Sequence, residues 1–541
     1  MLGIDFGTST TYLSEGAAGE SPELVRLGDF TPYMPSIVSR DGARLAVGRD
    51  AVAQTPLHQV RSIKRAITLR QDAIASPNGD EIDVDAGITA LLVEVTRLAR
   101  RQGLDVGQPG AVRIGCPAMW DAEQRDRLRR CAVEAGLDVG LGTIIDEPVA
   151  AGLGWVTNML YEGHQFDDRH VLVFDMGGGT LDVSVILVKA DLGATTQVHV
   201  LSSCGSNEAG DTLDESVADE LLRRARGRRH DPRADDDMLR AWTIQAAREA
   251  KEDLSANPRT QVRIADSRFN LAEVAFTVED LHEAFEEQWQ RARGVIERAL
   301  KEAAFASEGV SIDALRSRPL ESIARGITDV VLVGGMSESP VVRERITALF
   351  PAAAIHLPDP GSAVATGLAE VTGYESINLN RPGFSFTLEW AEESVTLYRA
   401  YEPLYRVGAG FHTVRPRYQW TSTDNEAANP EQLRRIRGSH GEATLRARTF
   451  DGRLIPFEDA DGKPIDIRVP FRGQAVRLNL HPNGRIHIED GSGHVTTTRL
   501  DSWPALSGSA VPRLKLHWTK NRKYTDHLEQ QQQGRGWWDN R

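Results

Sequence analysis

Cysteine is scarce in this chain: three residues in 541, Cys116, Cys131 and Cys204, odd in number and too widely spaced for a zinc cluster. That excludes a disulfide framework and fits a reducing cytoplasm, each thiol serving as a small apolar side chain. No run of about 18 apolar residues occurs, and Met1-Leu2-Gly3-Ile4-Asp5 has no basic leader, so neither a membrane span nor a secretory signal is expected. Excess positive charge is also missing. With 63 Lys and Arg against 77 Asp and Glu the net charge is −14, which argues against nucleic-acid binding through general phosphate electrostatics. The fourteen histidines show no metal-ligand pairing, and His481 and His487 read as surface or edge-strand residues. No Gly-x-Ser-x-Gly elbow supports a hydrolase triad. A Walker phosphate loop is absent too, because the only Gly-Lys pair, Gly462-Lys463, is followed by Pro464. Lysine itself is rare, eight residues against 55 Arg, so a lysine at a position that chemistry favours is informative.

What is present is ordinary globular composition, 40% apolar and 26% charged, in a chain too long for a single core. Residues 1 to 373 alternate β-branched runs such as Val171 to Phe174 and Val183 to Val188 with 3.6-period segments at 211–224, 238–255 and 279–304, which is α/β texture. The charged stretch between the first two helices, Arg223 to Asp237, reads as a solvated loop. After Gly373 the period falls to two, in Phe384 to Trp390, Ala443 to Phe450, Ile465 to Val469 and Val476 to Leu480, with an Asn483-Gly484 hairpin signal. The expected organisation is 1–373 α/β, 374–382 linker, 383–500 all-β, and 501–541 a polar, poorly ordered tail. Trp503, Trp518, Trp537 and Trp538, interleaved with Lys515, Lys520, Arg522 and Lys523, read as part of that solvated tail rather than as a partner site.

Two glycine turns, each headed by an aspartate at the end of an apolar strand, stand 170 residues apart: Asp5-Phe6-Gly7-Thr8-Ser9-Thr10 and Asp175-Met176-Gly177-Gly178-Gly179-Thr180-Leu181-Asp182. Glycines let backbone N–H groups converge on phosphate oxygens, hydroxyls add neutral donors, and a carboxylate can hold a hydrated magnesium ion. One such turn alone is as easily a ligand-free hairpin; two matched copies favour a grip on a triphosphate from both sides. A third element, Val330 to Val333 followed by Gly334-Gly335-Met336-Ser337-Glu338-Ser339-Pro340, is a buried strand breaking into a helix capped by Ser337 or Ser339, where bare backbone would admit a nucleoside.

In this order, with Ile144-Ile145-Asp146-Glu147-Pro148-Val149-Ala150-Ala151-Gly152 before the second turn, the sequence resembles the actin-like ATPase superfamily. Within it, the chain resembles the seventy-kilodalton heat-shock chaperone family of the DnaK type. The finer likeness rests on Ser62-Ile63-Lys64-Arg65, on Cys116-Pro117-Ala118-Met119-Trp120 with Gln124-Arg125, and on Ala250-Lys251-Glu252-Asp253-Leu254-Ser255. These match that family's phosphate-contacting lysine, its proline and arginine switch and its adenosine-contacting helix. The resemblance covers 1–373 and, more loosely, about 382–500, where Val476 to Asp490 resembles a late hairpin of the family's substrate domain.

The resemblance implies a two-lobed actin-like ATPase domain, a duplicated ribonuclease-H-like fold, followed by a smaller all-β sandwich-like domain. It implies ATP and Mg2+ as ligands, with Asp5 and Asp175 holding the metal through water, Lys64 and Glu147 flanking the γ-phosphate, and Thr180 contacting it. Gly7, Thr8, Ser9, Thr10, Gly177, Gly178 and Gly179 would cradle phosphates, and Lys251, Ser255, Gly334, Gly335 and Ser337 would meet the nucleoside. Implied partners are unfolded or extended polypeptide, a J-type co-chaperone and a nucleotide exchange factor, with no nucleic acid and no membrane.

The departures bear on specificity and coupling. Glu252 and Glu338 stand where the family has arginines against the nucleoside, and Arg248 stands where it has an acidic contact. Tyr374 to Pro382 replaces a leucine-rich linker, and the family's helical lid has no counterpart in the last 41 residues. The first expectation is therefore an ATP-driven chaperone-like protein; the alternative is a nucleotide-dependent switch binding one dedicated protein partner. A sugar or acetate kinase of the same superfamily is disfavoured, because Lys64 and the β-domain have no place in it.

Overall fold

The computed structural model describes residues 1–390 except 18–19, 42–43, 109, 141–142, 164–167, 190–196, 226–235, 265–271, 309–311, 360, 371–374 and 379–380. Beyond 390 it describes 393–402, 405–407, 414–416, 419–421, 440–449, 452–459, 461–472, 477–480, 485–489, 495–500 and 514–518. These residues divide into two units: Met1–Ser184 with Cys204–Glu297 and Ala324–Thr372, and Val185–Ser203 with Arg298–Ile323 and Gly373–Arg541.

The first unit carries the same strand pattern twice. Leu2–Phe6 and Thr10–Glu15 form an antiparallel pair in which Asp5 faces Tyr12 and Phe6 faces Thr11. Later strands extend the sheet in parallel, Val112–Cys116 beside Leu2–Phe6 and then Ile144–Asp146. In the second copy the hairpin strands are Arg169–Met176 and Leu181–Lys189, and the later parallel strands are Asp329–Val333 and Ala354–His356. Parallel strands covered on both faces need continuous apolar runs, and Val171 to Phe174 and Val330 to Val333 are wholly buried. Helices Val84–Arg101 and Ala122–Glu134 close the first sheet, their Ile88, Leu91, Leu92, Val95 and Leu128 sharing one core with Ile4, Phe6 and Leu13. The second helix starts on a full capping box, Asp121 accepting from Gln124 N–H while Gln124 Oε1 accepts from Asp121 N–H.

The expected helices are present as Gly210–Ala225, Asp236–Asp253 and Val278–Glu308, the last burying Leu281, Phe285, Trp289, Val295 and Ile296 on one stripe. Most of the charged loop expected between the first two lies outside the described residues, but Arg223 and Arg224 close the helix and pair with Glu220.

In the second unit, Glu375–Asn378, within the segment expected as a linker, forms a strand parallel to Gln197–Val200. Phe384–Trp390 and His440–Thr449 pair antiparallel, and Phe384, Phe386, Leu388, Ala443, Leu445 and Ala447 alternate inward. Three expectations are corrected. Residues 465–469 are not one strand: Pro464–Ile465 pairs with Phe457–Glu458, and Ile467–Arg472 pairs with His440–Thr449. Proline cannot donate to a ladder, and the break at Asp466 lets Ile467 and Val469 enter the other sheet. Leu514–Trp518 is a strand, antiparallel to Val495–Leu500, inside the segment expected as a tail; Leu514, Leu516 and Trp518 alternate within an otherwise polar stretch. Of the surface or edge-strand reading of His487, the edge-strand part does not hold: it lies on the strand Arg485–Glu489, which is paired on both sides. The flanks of the Asn483-Gly484 signal do pair antiparallel, although the turn itself and His481 lie outside the described residues.

One close approach anchors the first unit. Helix Glu147–Tyr161 crosses helix Ala363–Ala369 where two glycines meet: a Cβ on Gly154 would lie 3.0 Å from the Cα of Gly367, and one on Gly367 would strike the Ala150 carbonyl. Gly367→Ala should therefore destabilise by about 1–3 kcal/mol through overpacking. Thermal unfolding should show a midpoint lower by about 2–4 °C per kcal/mol; an unchanged midpoint would mean that the helices are not packed this closely.

Candidate active site

The strand pattern brings the two glycine turns tip to tip. In the second, Gly177 N–H donates to the Thr180 carbonyl at 3.1 Å, while the Gly177 and Gly178 carbonyls accept from the N–H groups of Gly210 (3.0 Å) and Asp211 (2.7 Å) at the start of the next helix. Gly178 and Gly179 lie against the first turn: a Cβ on Gly179 would be 2.8 Å from Thr8 Oγ1, and one on Gly178 would collide with Ser9 Oγ. Thr8 and Thr180 are buried at this junction, and a Cβ on Gly7 would collide with the Thr10 carbonyl of its own turn.

Directly behind the turns lies a buried charge cluster. Lys64, on the short helix Ile63–Thr68, donates from Nζ to Glu147 Oε1 at the head of Glu147–Tyr161, and both side chains are nearly inaccessible. Burial pushes the Asp5 carboxyl up to about 7, helped by Glu147 and opposed by Lys64. Asp175 is held well above the ordinary carboxylate range by burial and by Glu147, Asp182 and Asp5. Burial disfavours the Lys64 ammonium, yet Glu147 and Asp5 outweigh it and raise its pKa. Four carboxyl groups thus share one ammonium.

Asp182 is the member that sequence reasoning missed. It is 1% exposed, burial and Glu147 push it up to about 7, and its Oδ1 accepts the Ala118 N–H at 3.0 Å. The signal was available, since Asp182 ends the second glycine motif and stands at the head of the strand Leu181–Lys189, whose sequence LDVSVILVK is mostly apolar. A second buried pair stands beside the first: Arg125 Nη2 donates to Asp146 Oδ1 at 2.5 Å and its Nε to the Trp120 carbonyl at 3.0 Å, immediately before Glu147. This ties the Cys116 to Arg125 segment to the head of the Glu147 helix.

Among the described residues no group of three or more His, Cys, Asp or Glu is arranged to hold a metal ion directly. Magnesium fits here in the other way: a surplus of buried carboxyl groups beside phosphate-sized glycine turns can hold a hydrated cation through water.

At the third element, Gly334 has φ 79°, and a Cβ there would lie 2.6 Å from Asp175 Oδ1, because Val333 is the register partner of Asp175. Gly335 is exposed, with open space where a Cβ would stand. The expected capping is corrected. Ser337 Oγ donates back to the Val333 carbonyl at 2.5 Å, and Ser339 stands at the cap position of Pro340–Leu349 without a side-chain cap bond, because the intervening residues form a short 3₁₀ turn that buries both hydroxyls. On the helix Asp236–Asp253, Lys251 Nζ lies 2.5 Å from Asp214 Oδ1 and donates to the Gly210 carbonyl at 3.3 Å, next to the second glycine turn. Arg248 is bound to Asp214 (3.0 Å) and Asp211 (3.3 Å). Ser255 is half-buried just past the helix, and Glu252 and Glu338 are exposed.

A duplicated α/β framework with paired glycine turns around a lysine–carboxylate cluster defines a nucleotide-binding class of protein. Residues 95–376 match the family model described as Hsp70 protein, and the chain belongs to the Hsp70 family, whose members are two-lobed actin-like ATPases with a β-domain. It is 26% identical over 529 residues to "Chaperone protein DnaK" of Halobacterium salinarum, covering 95% of this chain and 77% of that protein. It is 27% identical over 390 residues to "Chaperone protein HscA homolog" of Acidithiobacillus ferrooxidans, and 29% over 395 residues to "Chaperone protein HscA" of Pectobacterium carotovorum. Each of the latter two alignments covers 68% of this chain and 57% of the relative. No helix among the described residues is long and apolar enough to cross a membrane.

The raised carboxyl groups have a consequence for the ligand-free chain. A group such as Asp5 that binds its proton more tightly when folded stabilises the fold below its ordinary value of 3.8, and that contribution is lost as pH rises through about 7. Asp5→Asn should therefore raise the ligand-free unfolding free energy at pH 8 by at least about 1 kcal/mol, the equivalent of a single pK unit, with a smaller gain at pH 5. A variant no more stable than wild type at pH 8 would show that Asp5 carries no burial cost.

Proposed function

We propose that this chain is an ATP-binding, ATP-hydrolysing, chaperone-like protein of the cytoplasm whose nucleotide state controls binding of extended polypeptide by its β-domain. The observation that carries the reading is the Lys64–Glu147 pair set among Asp5, Asp175 and Asp182 at the junction of the two glycine turns. Membership of the Hsp70 family supports it, as do the chaperone names of the relatives.

In this reading the N–H groups and hydroxyls of Gly7 to Thr10 and Gly177 to Thr180 hold the phosphates from two sides, and Thr180 distinguishes ATP from ADP by contacting the γ-phosphate. Lys64 places its ammonium beside the transferred phosphoryl group, and Glu147 fixes the direction of that ammonium. Asp5 and Asp175 would hold Mg2+ through water; when bound, the ion neutralises charge on the phosphate oxygens. Asp182 adds a carboxylate that orients the attacking water. Phosphoryl transfer needs positioning and charge neutralisation more than covalent chemistry, and this cluster can supply both. Lys251, Ser255, Gly334, Gly335 and the Ser337 segment border the nucleoside. A J-type co-chaperone and an exchange factor belong to the same proposal.

A lone preorganised charge at such a site is worth about 10²-fold or more in rate. Lys64→Ala and Asp175→Asn should accordingly retain nucleotide while slowing single-turnover ATP hydrolysis by that factor; unchanged rates in both variants would remove them from the site. Adding a reduced, unfolded polypeptide should stimulate turnover of the wild-type chain. Stimulation by one co-purifying protein, and by no unfolded polypeptide, would instead favour the dedicated-partner switch.

A further inference from the structure

On the family resemblance, Glu252 and Glu338 stand where arginines would meet the nucleoside, and Arg248 does not replace them because Asp214 and Asp211 hold it. A different arginine reaches this place from the first half of the unit. Arg61 follows the turn Pro56–His58, which packs against the helix Asp236–Asp253, and precedes Ser62, whose hydroxyl donates to Asp211. Arg61 and Arg248 thus approach the same carboxylate region from opposite halves.

The side chain of Arg61 is aimed by a neutral acceptor. Its Nε and Nη2 donate to Gln59 Oε1 at 3.1 and 2.7 Å, and Gln59 is itself fixed, donating from Nε2 to the Val52 and Gln54 carbonyls at 3.2 and 2.7 Å. Glu252, Asp211 and Glu249 are near enough to act on Arg61, yet none forms an ion pair with it; burial, reinforced by Arg248, pulls its pKa down to about 10. A largely buried guanidinium that pays desolvation without a carboxylate partner, at the edge of a nucleotide site, is arranged for a ligand.

We propose that Arg61 is the base-contacting guanidinium of this chain, supplied from the half opposite Lys251, so that the nucleobase is recognised only when both halves close on it. This rests on the nucleotide-binding reading above. Arginine over an aromatic base contributes a cation–π term that the phosphates do not share, so Arg61 sets base dependence and leaves the phosphate grip alone.

The test is calorimetric titration of the full chain with Mg2+ complexes of ATP, GTP and tripolyphosphate, for wild type, Arg61→Ala and Arg61→Gln. The Ala variant should weaken ATP binding about 3- to 30-fold while tripolyphosphate affinity stays within about twofold. Arg61→Gln, which keeps a donor towards Gln59, should show the same selective loss and provides the measurement if the alanine variant unfolds. Equal losses for ATP and tripolyphosphate, or no loss for ATP, would overturn the role of Arg61. A wild-type chain that binds neither would overturn the nucleotide reading itself and this inference with it.

Discussion

Everything in the first unit turns on one buried ammonium shared by four carboxyl groups. Lys64 cannot neutralise Asp5, Glu147, Asp175 and Asp182 together, and the unpaired remainder is expensive in a dry interior. Part of the cost is offset by the protons that burial holds on Asp5 and Asp182; in the proposed reading a magnesium ion takes over that role while the glycine turns hold the phosphates it accompanies. The raised carboxyl groups and the proposed activity are thus two aspects of one electrostatic imbalance.

The fold exists to hold that imbalance in place. Asp5 and Asp175 end the first strands of two sheets with the same strand order, so each carboxyl reaches the junction from its own half. Glu147 is delivered by a helix whose position is fixed by the Gly154–Gly367 crossing and, at its head, by the Arg125–Asp146 pair. Gly178 and Gly179 are small because Thr8 and Ser9 of the opposite turn occupy the space their side chains would need.

Most of this was legible in the sequence where local pattern and chemistry coincide. Aspartate at the end of an apolar strand before glycines marked both turns, the rarity of lysine singled out Lys64 and Lys251, and period-two alternation marked Phe384 to Trp390 and Ala443 to Phe450, the second of which overlaps the strand His440–Thr449. What escaped depends on long-range geometry. Asp182 looked like the tail of a motif until its strand carried it back beside Asp175. Ser337 and Ser339 have the composition of helix caps, but a 3₁₀ turn between strand and helix redirects one hydroxyl and buries the other. The Leu514–Trp518 strand is too short to stand out in a polar segment, and it exists because a neighbouring strand offers it a ladder.

Whether the surplus carboxyl groups receive a cation together with a triphosphate can be read by counting protons. Calorimetric titration of the wild-type chain with ATP near pH 7, in two buffers of different ionisation enthalpy and with or without Mg2+, measures protons released on binding. Tight binding is expected only with Mg2+, accompanied by net proton release to the buffer as the cation displaces protons from Asp5 and Asp182, which burial pushes up to about 7. Binding that is indifferent to Mg2+ and independent of buffer would contradict this expectation.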